Sequence, residues 1–189
     1  MLKYKAFTLK STKGLVRELK SHCHVSPGFD PKLIDPKTVR FQEFTALWDT
    51  GASGTVISKR AAQMLNLKPV GRIQVNHANG TDIKNRYLVN LFLPNEIGFS
   101  LVSVTEGVLQ GFDLLIGMDV ITRGDFSITN YEGKTTFSFR IPSMNEVDYV
   151  QEHEDLVKKS LKHVKRNDPC ICKSGKKFKA CCAPKYGLN

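Results

Sequence analysis

Two short stretches of this chain carry residue types that do chemistry. The first is Leu47-Trp48-Asp49-Thr50-Gly51-Ala52, one carboxylate between an apolar run and a Thr-Gly turn. A carboxylate on such a turn is held by backbone and pointed outward. Gly51 gives the turn its backbone freedom, and the Thr50 hydroxyl can bond neighbours. That carboxylate can serve as a general base on water. Alone it hydrolyses poorly, because nothing protonates a leaving amine. Two carboxylates in contact solve this: they cannot both ionise, so one is base and the other acid. The second stretch is residues 167–184, NDPCICKSGKKFKACCAP. Two thiols one residue apart and two adjacent thiols can meet at one tetrahedral metal, with Gly175 at the bend between them. Four thiolates and no water position make a closed, structural zinc site.

Elements must position both stretches. Residues 4–9 read as a first strand and residues 12–20 as a short helix or helical turn. Three prolines and a glycine mark residues 26–38 as an extended loop. VRFQEFTALWD is strand-like and delivers Asp49 to its turn. TVIS is a short strand, and residues 58–67 a helix with Ser58 as N-cap. Residues 73–94 read as a long β-hairpin turning at Asn79-Gly80. Residues 99–107 form another strand. FDLLIGMDVIT is a buried strand running into a short helix, and residues 124–142 a second hairpin turning at Glu132-Gly133. Ser143 and Glu146 have the spacing of a capping box, and residues 146–165 have acids first and bases last, as a helix dipole favours. Val150, Val157, Leu161 and Val164 fall near one face of that helix.

With 189 residues, 41% hydrophobic and 24% charged, the chain suits one mainly β domain with an appendage. No run approaches 18 apolar residues, so no membrane span is expected, and MLKYKAFTLKSTKG lacks the apolar core of a signal peptide. A cytoplasmic location is the expectation. The net charge is +10 and uneven: residues 151–189 hold 10 Lys/Arg against 4 Asp/Glu, a net of +6, and residues 1–150 a net of +4. A basic tail either attracts nucleic acid or an acidic partner or merely aids solubility. In a cytoplasmic chain the cysteine cluster favours metal over disulfides. Cys23 reads as a small buried hydrophobe. His22 and His24 read as a non-functional loop. No phosphate-binding loop or serine nucleophile has the required frame.

The Asp-Thr-Gly-Ala turn, the following hairpin and Leu114-Leu115-Ile116-Gly117 occur in the order that resembles the retropepsin-like aspartic proteases, over about residues 40–142. The resemblance implies a closed β-barrel with one short helix after the Leu-Ile-Gly strand. It makes Asp49 catalytic, has Thr50 stiffen the dyad by bonding its counterpart, and has Gly51 line the cleft. Ala52 and the flap residues His77, Ala78, Asn79 and Gly80 would meet substrate. Gly117 would let its strand pass close beneath the active-site loop, and Asp119 has a capping or structural role. One-domain members carry a single Asp-Thr-Gly and work as homodimers. Asp113, Asp119 and Asp125 lack the Thr/Ser-Gly sequel, so two copies of Asp49 would form the pair. The implied activity is peptide-bond hydrolysis with an acidic to mildly acidic optimum.

The tail resembles the SEC-C motif, best known from the C-terminus of a bacterial secretion ATPase. It matches in Asn167-Asp168-Pro169, the Ser-Gly-Lys-Lys-Phe-Lys run and the closing Cys pair, with Lys173 where a glycine is usual. The implied zinc ligands are Cys170, Cys172, Cys181 and Cys182, and the implied partners a chaperone, the ribosome or nucleic acid. Phe178 serves either as an aromatic contact or as packing on the knuckle. The expected layout is an N-terminal extension (1–40), a protease domain (41–142), a linker helix (143–166) and the zinc motif (167–189). The alternative is a catalytically silent, dimeric binding module that docks through its basic tail.

Overall fold

Strands β2 (Lys20–Pro27), β3 (Gln42–Trp48), β4 (Val56–Ser58), β6 (Gly80–Leu93), β7 (Ile97–Gly107) and β8 (Leu114–Ile116) close a ring. Their order is β2-β3-β8-β4-β7-β6, and β6 pairs back onto β2. Strand β5 (Gly71–His77) adds to β6 outside the ring. The pairs β3–β8 and β4–β7 are parallel, and the others antiparallel. Each ring strand is thereby paired on both sides over at least part of its length. This computed structural model describes residues 4–77 and 80–188, with side chains outside residues 75–80. The chain divides into two compact units, Met1–Met144 and Asn145–Asn189. Among the described residues no helix is long and apolar enough to cross a membrane.

Alternation sets each strand's faces. In β2, Ser21, Cys23 and Val25 point in while Lys20, His22 and His24 are exposed; in β3, Phe44, Ala46 and Trp48 point in. Ile57, Val89, Leu91, Val104, Leu114 and Ile116 complete the interior. Removing such side chains from water contributes roughly 1.5–3 kcal/mol each. Asn90 is buried where β6 and β7 shift register. Its amide is satisfied: Oδ1 accepts from the N–H of Phe29 and of Leu101, and Nδ2 donates to the Phe29 carbonyl.

A second sheet has β10 (Thr136–Ile141) between β1 (Lys5–Lys10) and β9 (Asp125–Thr129). Its aromatic face meets β3. The Trp48 ring lies 5.1–5.9 Å from those of Phe7, Phe126, Phe137 and Phe139, one or more from each strand. Trp48 Nε1 donates to Ser21 Oγ at 2.9 Å. The residue before Asp49 is thus anchored from both sheets.

Several expectations are corrected. Residues 12–19 are not helical: Gly14 has φ +104°, and Lys20 already enters β2. The first 40 residues, set apart as an extension, supply β1 and one strand of the ring. Ser143 caps no helix; its hydroxyl donates to Asp125, a partner fixed by tertiary structure. Helix α3 (Tyr149–Leu161) instead starts after Asp148, whose carboxylate accepts from the N–H groups of Val150 and Gln151. In the second unit Val157, Leu161 and Val164 pack with Cys170, Phe178 and Ala183 at its small core, and Val150 is exposed. Helix α1 (Lys59–Met64) begins as read: Ser58 Oγ accepts from Ala61 N–H at 3.0 Å.

Candidate functional site

Asp49 leaves the end of β3 half-buried. Three backbone contacts hold it. Its N–H donates to the Ile116 carbonyl of β8 at 3.0 Å, its carbonyl accepts from Ala52 N–H at 3.3 Å, and Oδ1 accepts from Gly51 N–H at 2.8 Å. The carboxylate is therefore oriented by the turn that carries it. From the other side of the turn, Met118 N–H donates to the Ala52 carbonyl at 2.8 Å and Asp119 N–H to the Ser53 carbonyl at 3.2 Å. These bonds lace the turn to helix α2 (Met118–Ile121). Thr50, Gly51, Ala52, Ser53, Met118, Asp119 and Thr122 line one open depression.

Gly117 permits this close approach. A Cβ there would stand 2.6 Å from the Gly54 carbonyl carbon and oxygen and 2.9 Å from the Ala52 oxygen, contacts that backbone cannot yield to cheaply. Asp119 accepts from Thr55 Oγ1 at 2.8 Å, and that hydroxyl accepts from Gly117 N–H at 3.3 Å. Asp119 thus tethers the turn. The hairpin assigned to substrate forms as β5 and β6, paired from Gly71–Arg86 to His77–Gly80. Ala78 and Asn79 lie outside the described residues, as does the side chain of His77.

Two polar groupings of the first unit have no counterpart in the sequence reading. Asp113, buried before β8, accepts both Arg60 Nη2 contacts at 2.6 and 2.7 Å and Ser58 Oγ at 3.3 Å. It joins α1 to the strand that reaches Gly117. Tyr87 donates to Glu106 at 2.5 Å between β6 and β7. Desolvation first, then this bond, raises the tyrosine above its ordinary range. The partners lie 53 and 19 residues apart, and no local pattern links them.

In the second unit the sulfurs of Cys170, Cys172, Cys181 and Cys182 all lie within 4.8 Å of one another. Zinc–sulfur bonds of about 2.3 Å in a tetrahedron place sulfurs ~3.8 Å apart, so the donor set fits zinc. The Cys172 sulfur is 3.4 Å from those of Cys170 and Cys181. Hydrogen bonding by Ser174, then Cys170 and Cys181, draws the Cys172 thiol down to about 6. The chain turns back through Cys170 N–H to the Lys176 carbonyl at 2.8 Å and Phe178 N–H to the Asp168 carbonyl at 2.9 Å. Lys173, where glycine is usual, has φ +59°, which explains the preference. Phe178 is buried against the knuckle, while Lys173, Lys176, Lys177 and Lys179 are exposed.

Two family models fall on the same two regions. Residues 38–123 match the family model described as gag-polyprotein putative aspartyl protease, and residues 166–184 match the SEC-C motif. The chain therefore carries a region similar to the aspartyl-protease family model and, after it, a segment that matches the SEC-C motif. UPF0225 proteins of Shewanella sp. strains ANA-3 and MR-4 are each 33% identical over 81 residues, 35% of this chain and 49% of theirs. The chain spans about half the length of these curated relatives. Similar solved structures include a retropepsin-like aspartic protease from Rickettsia conorii (17% identity, TM-score 0.45, covering 74% of this chain and 98% of that one). Another is the Simian Foamy Virus (mac) protease (13%, TM-score 0.37, 55% and 91%).

Proposed function

We propose that this chain is an aspartic endopeptidase that works as a homodimer, each copy contributing one Asp49. The observation that carries the reading is the turn itself. Asp49 is delivered by a strand, held by the Gly51 N–H and bonded to Ile116 of β8, and the residues that follow it, Thr50, Gly51 and Ala52, line an open depression. One such turn supplies half of an acid–base pair, and a two-fold axis supplies the rest. In the pair the ionised Asp49 takes a proton from water, which attacks the scissile carbonyl. The protonated Asp49 of the second copy gives its proton to the departing amine. Thr50 stiffens the pair, and Gly51 and Ala52 line the floor for an extended peptide beneath the β5–β6 hairpin, where His77, Ala78, Asn79 and Gly80 would meet it.

Cys170, Cys172, Cys181 and Cys182 would hold structural zinc, whose bound state folds the knuckle. It has no role in hydrolysis. The exposed Lys173, Lys176, Lys177 and Lys179 favour docking on an acidic partner of the nucleic-acid, ribosome or chaperone class, in the cytoplasm. They also support the second reading, a silent protease-like module that only binds. The deciding experiment is cleavage of a diverse peptide pool across pH 4–8 by zinc-loaded protein beside Asp49→Asn. Cleavage that vanishes in the variant establishes the peptidase. Equal cleavage by both rejects it. Silence from both, with salt-sensitive binding through residues 145–189, selects the binding module.

A further inference from the structure

We infer that the outer wall of the barrel carries a second metal site, in which His22 and His24 are the ligands and Glu43 orients His22. The two histidines, expected in a loop, lie on β2, separated by inward-facing Cys23. Residues two apart on a strand share a face at about 6.6 Å. Two imidazoles so placed can turn toward one ion at ~2.0–2.1 Å from each nitrogen. Glu43 is the cross-strand partner of His24 on β3, and its Oε1 lies 3.0 Å from His22 Nδ1. It is thus opposite His24 in register and in contact with the His22 ring.

That contact has a consequence for His22. With Nδ1 against a carboxylate, Nε2 is the nitrogen left for a metal when the ring is neutral. A carboxylate behind an imidazole fixes the tautomer, aims the free nitrogen and raises its basicity toward a metal. His22 and Glu43 have side chains 77% and 55% exposed, so an ion reaches them from solvent with water filling its remaining positions. Lys20, next on the same face, is already paired with Glu18 at 2.7 Å, which tempers its repulsion. Imidazole donors select Zn2+, Ni2+ or Cu2+ over Mg2+ and Ca2+. Cys23 takes no part: it points into the core, and burial pushes its thiol up to about 12. The site is separate in residues and chemistry from the sulfur cluster, and it does not depend on peptidase activity.

Calorimetric titration of the zinc-loaded full chain with Ni2+ tests this, with zinc retention measured alongside. The expected result is one equivalent of Ni2+ bound by the wild type, lost in the His22→Ala/His24→Ala double variant and kept in His153→Ala/His163→Ala. Glu43→Gln should weaken binding about tenfold or more. No Ni2+ binding by the wild type, or equal binding by the His22→Ala/His24→Ala variant, would overturn the site. Unchanged affinity in Glu43→Gln overturns the orienting role. If the double variant fails to fold, selective paramagnetic broadening of the His22 and His24 signals in the wild type decides the matter, and its absence counts against the site.

Discussion

The two units of this chain solve the folding problem in opposite ways. In the first, six strands close on themselves and the interior is apolar: Ile57, Val89, Leu91, Val104, Leu114 and Ile116 have almost no exposure, and an aromatic cluster around Trp48 joins the second sheet. In the second, the buried set is Leu161, Cys170, Phe178 and Ala183. So few side chains cannot offset the entropy of ordering 45 residues. Four sulfurs within 4.8 Å of one another would supply the missing cohesion on sharing a cation, as proposed above. On that proposal the barrel is stable by area and the knuckle by coordination. The difference also separates their chemistry: the barrel holds the half-buried Asp49 on its turn, while the thiols of the knuckle would be committed to structure.

This contrast can be broken experimentally, and the largest expected effect is metal removal. A strong chelator should unfold the knuckle and leave the barrel intact, because apparent zinc-binding energies in such peptides are roughly 10–16 kcal/mol. Amide exchange resolved by residue reads this directly: protection lost over 162–188 but kept in β3, β6 and β7. Equal loss in both units would contradict it. The reverse lesion is Phe139→Ala. Phe139 is fully buried against Phe7, Trp48 and Phe99, so its truncation should cost the barrel about 3–5 kcal/mol and leave metal affinity unchanged. Denaturant unfolding and a zinc titration on the same sample check both halves.

A smaller effect concerns acid. Asp125 accepts from Ser143 Oγ, from Met144 N–H at 2.9 Å and from the Arg140 guanidinium. These contacts, Ser143 first, hold its carboxyl well below the usual carboxylate range. A depressed native value contributes stability that is present above the unfolded carboxylate range near pH 4 and is lost as pH falls through the native value. The barrel should therefore lose stability on acidification below about pH 4, and Asp125→Asn should flatten that slope. Unfolding midpoints at pH 2–6 for both proteins give the answer; parallel curves would refute it.

Much of the site was legible because its signals are local. Asp49-Thr50-Gly51 marked the turn, Ser58 marked the start of α1, and Gly117 marked the close approach whose cause is the Gly54 backbone. The cysteine spacing likewise placed four sulfurs together. What escaped was long-range. The closing pairing of β2 with β6 joins residues 24–27 to 89–92, so the first strands looked like an appendage. SHCHVS has too little apolar alternation to announce a strand, and its histidines looked idle. Ser143 had the spacing of a cap, yet Asp125, 18 residues earlier, claims its hydroxyl. The Arg60–Asp113 pair spans 53 residues and has no sequence signature.

The central claim is that the working site needs an Asp49 from each of two chains. It is tested most directly by mixing a fixed amount of wild type with increasing Asp49→Asn protein and following cleavage of one peptide. If the dyad is shared, random pairing at equal amounts should leave about half the activity, and excess variant should drive it toward zero. Activity unchanged by any excess of the variant would mean that one copy of Asp49 suffices, and the shared dyad would be wrong.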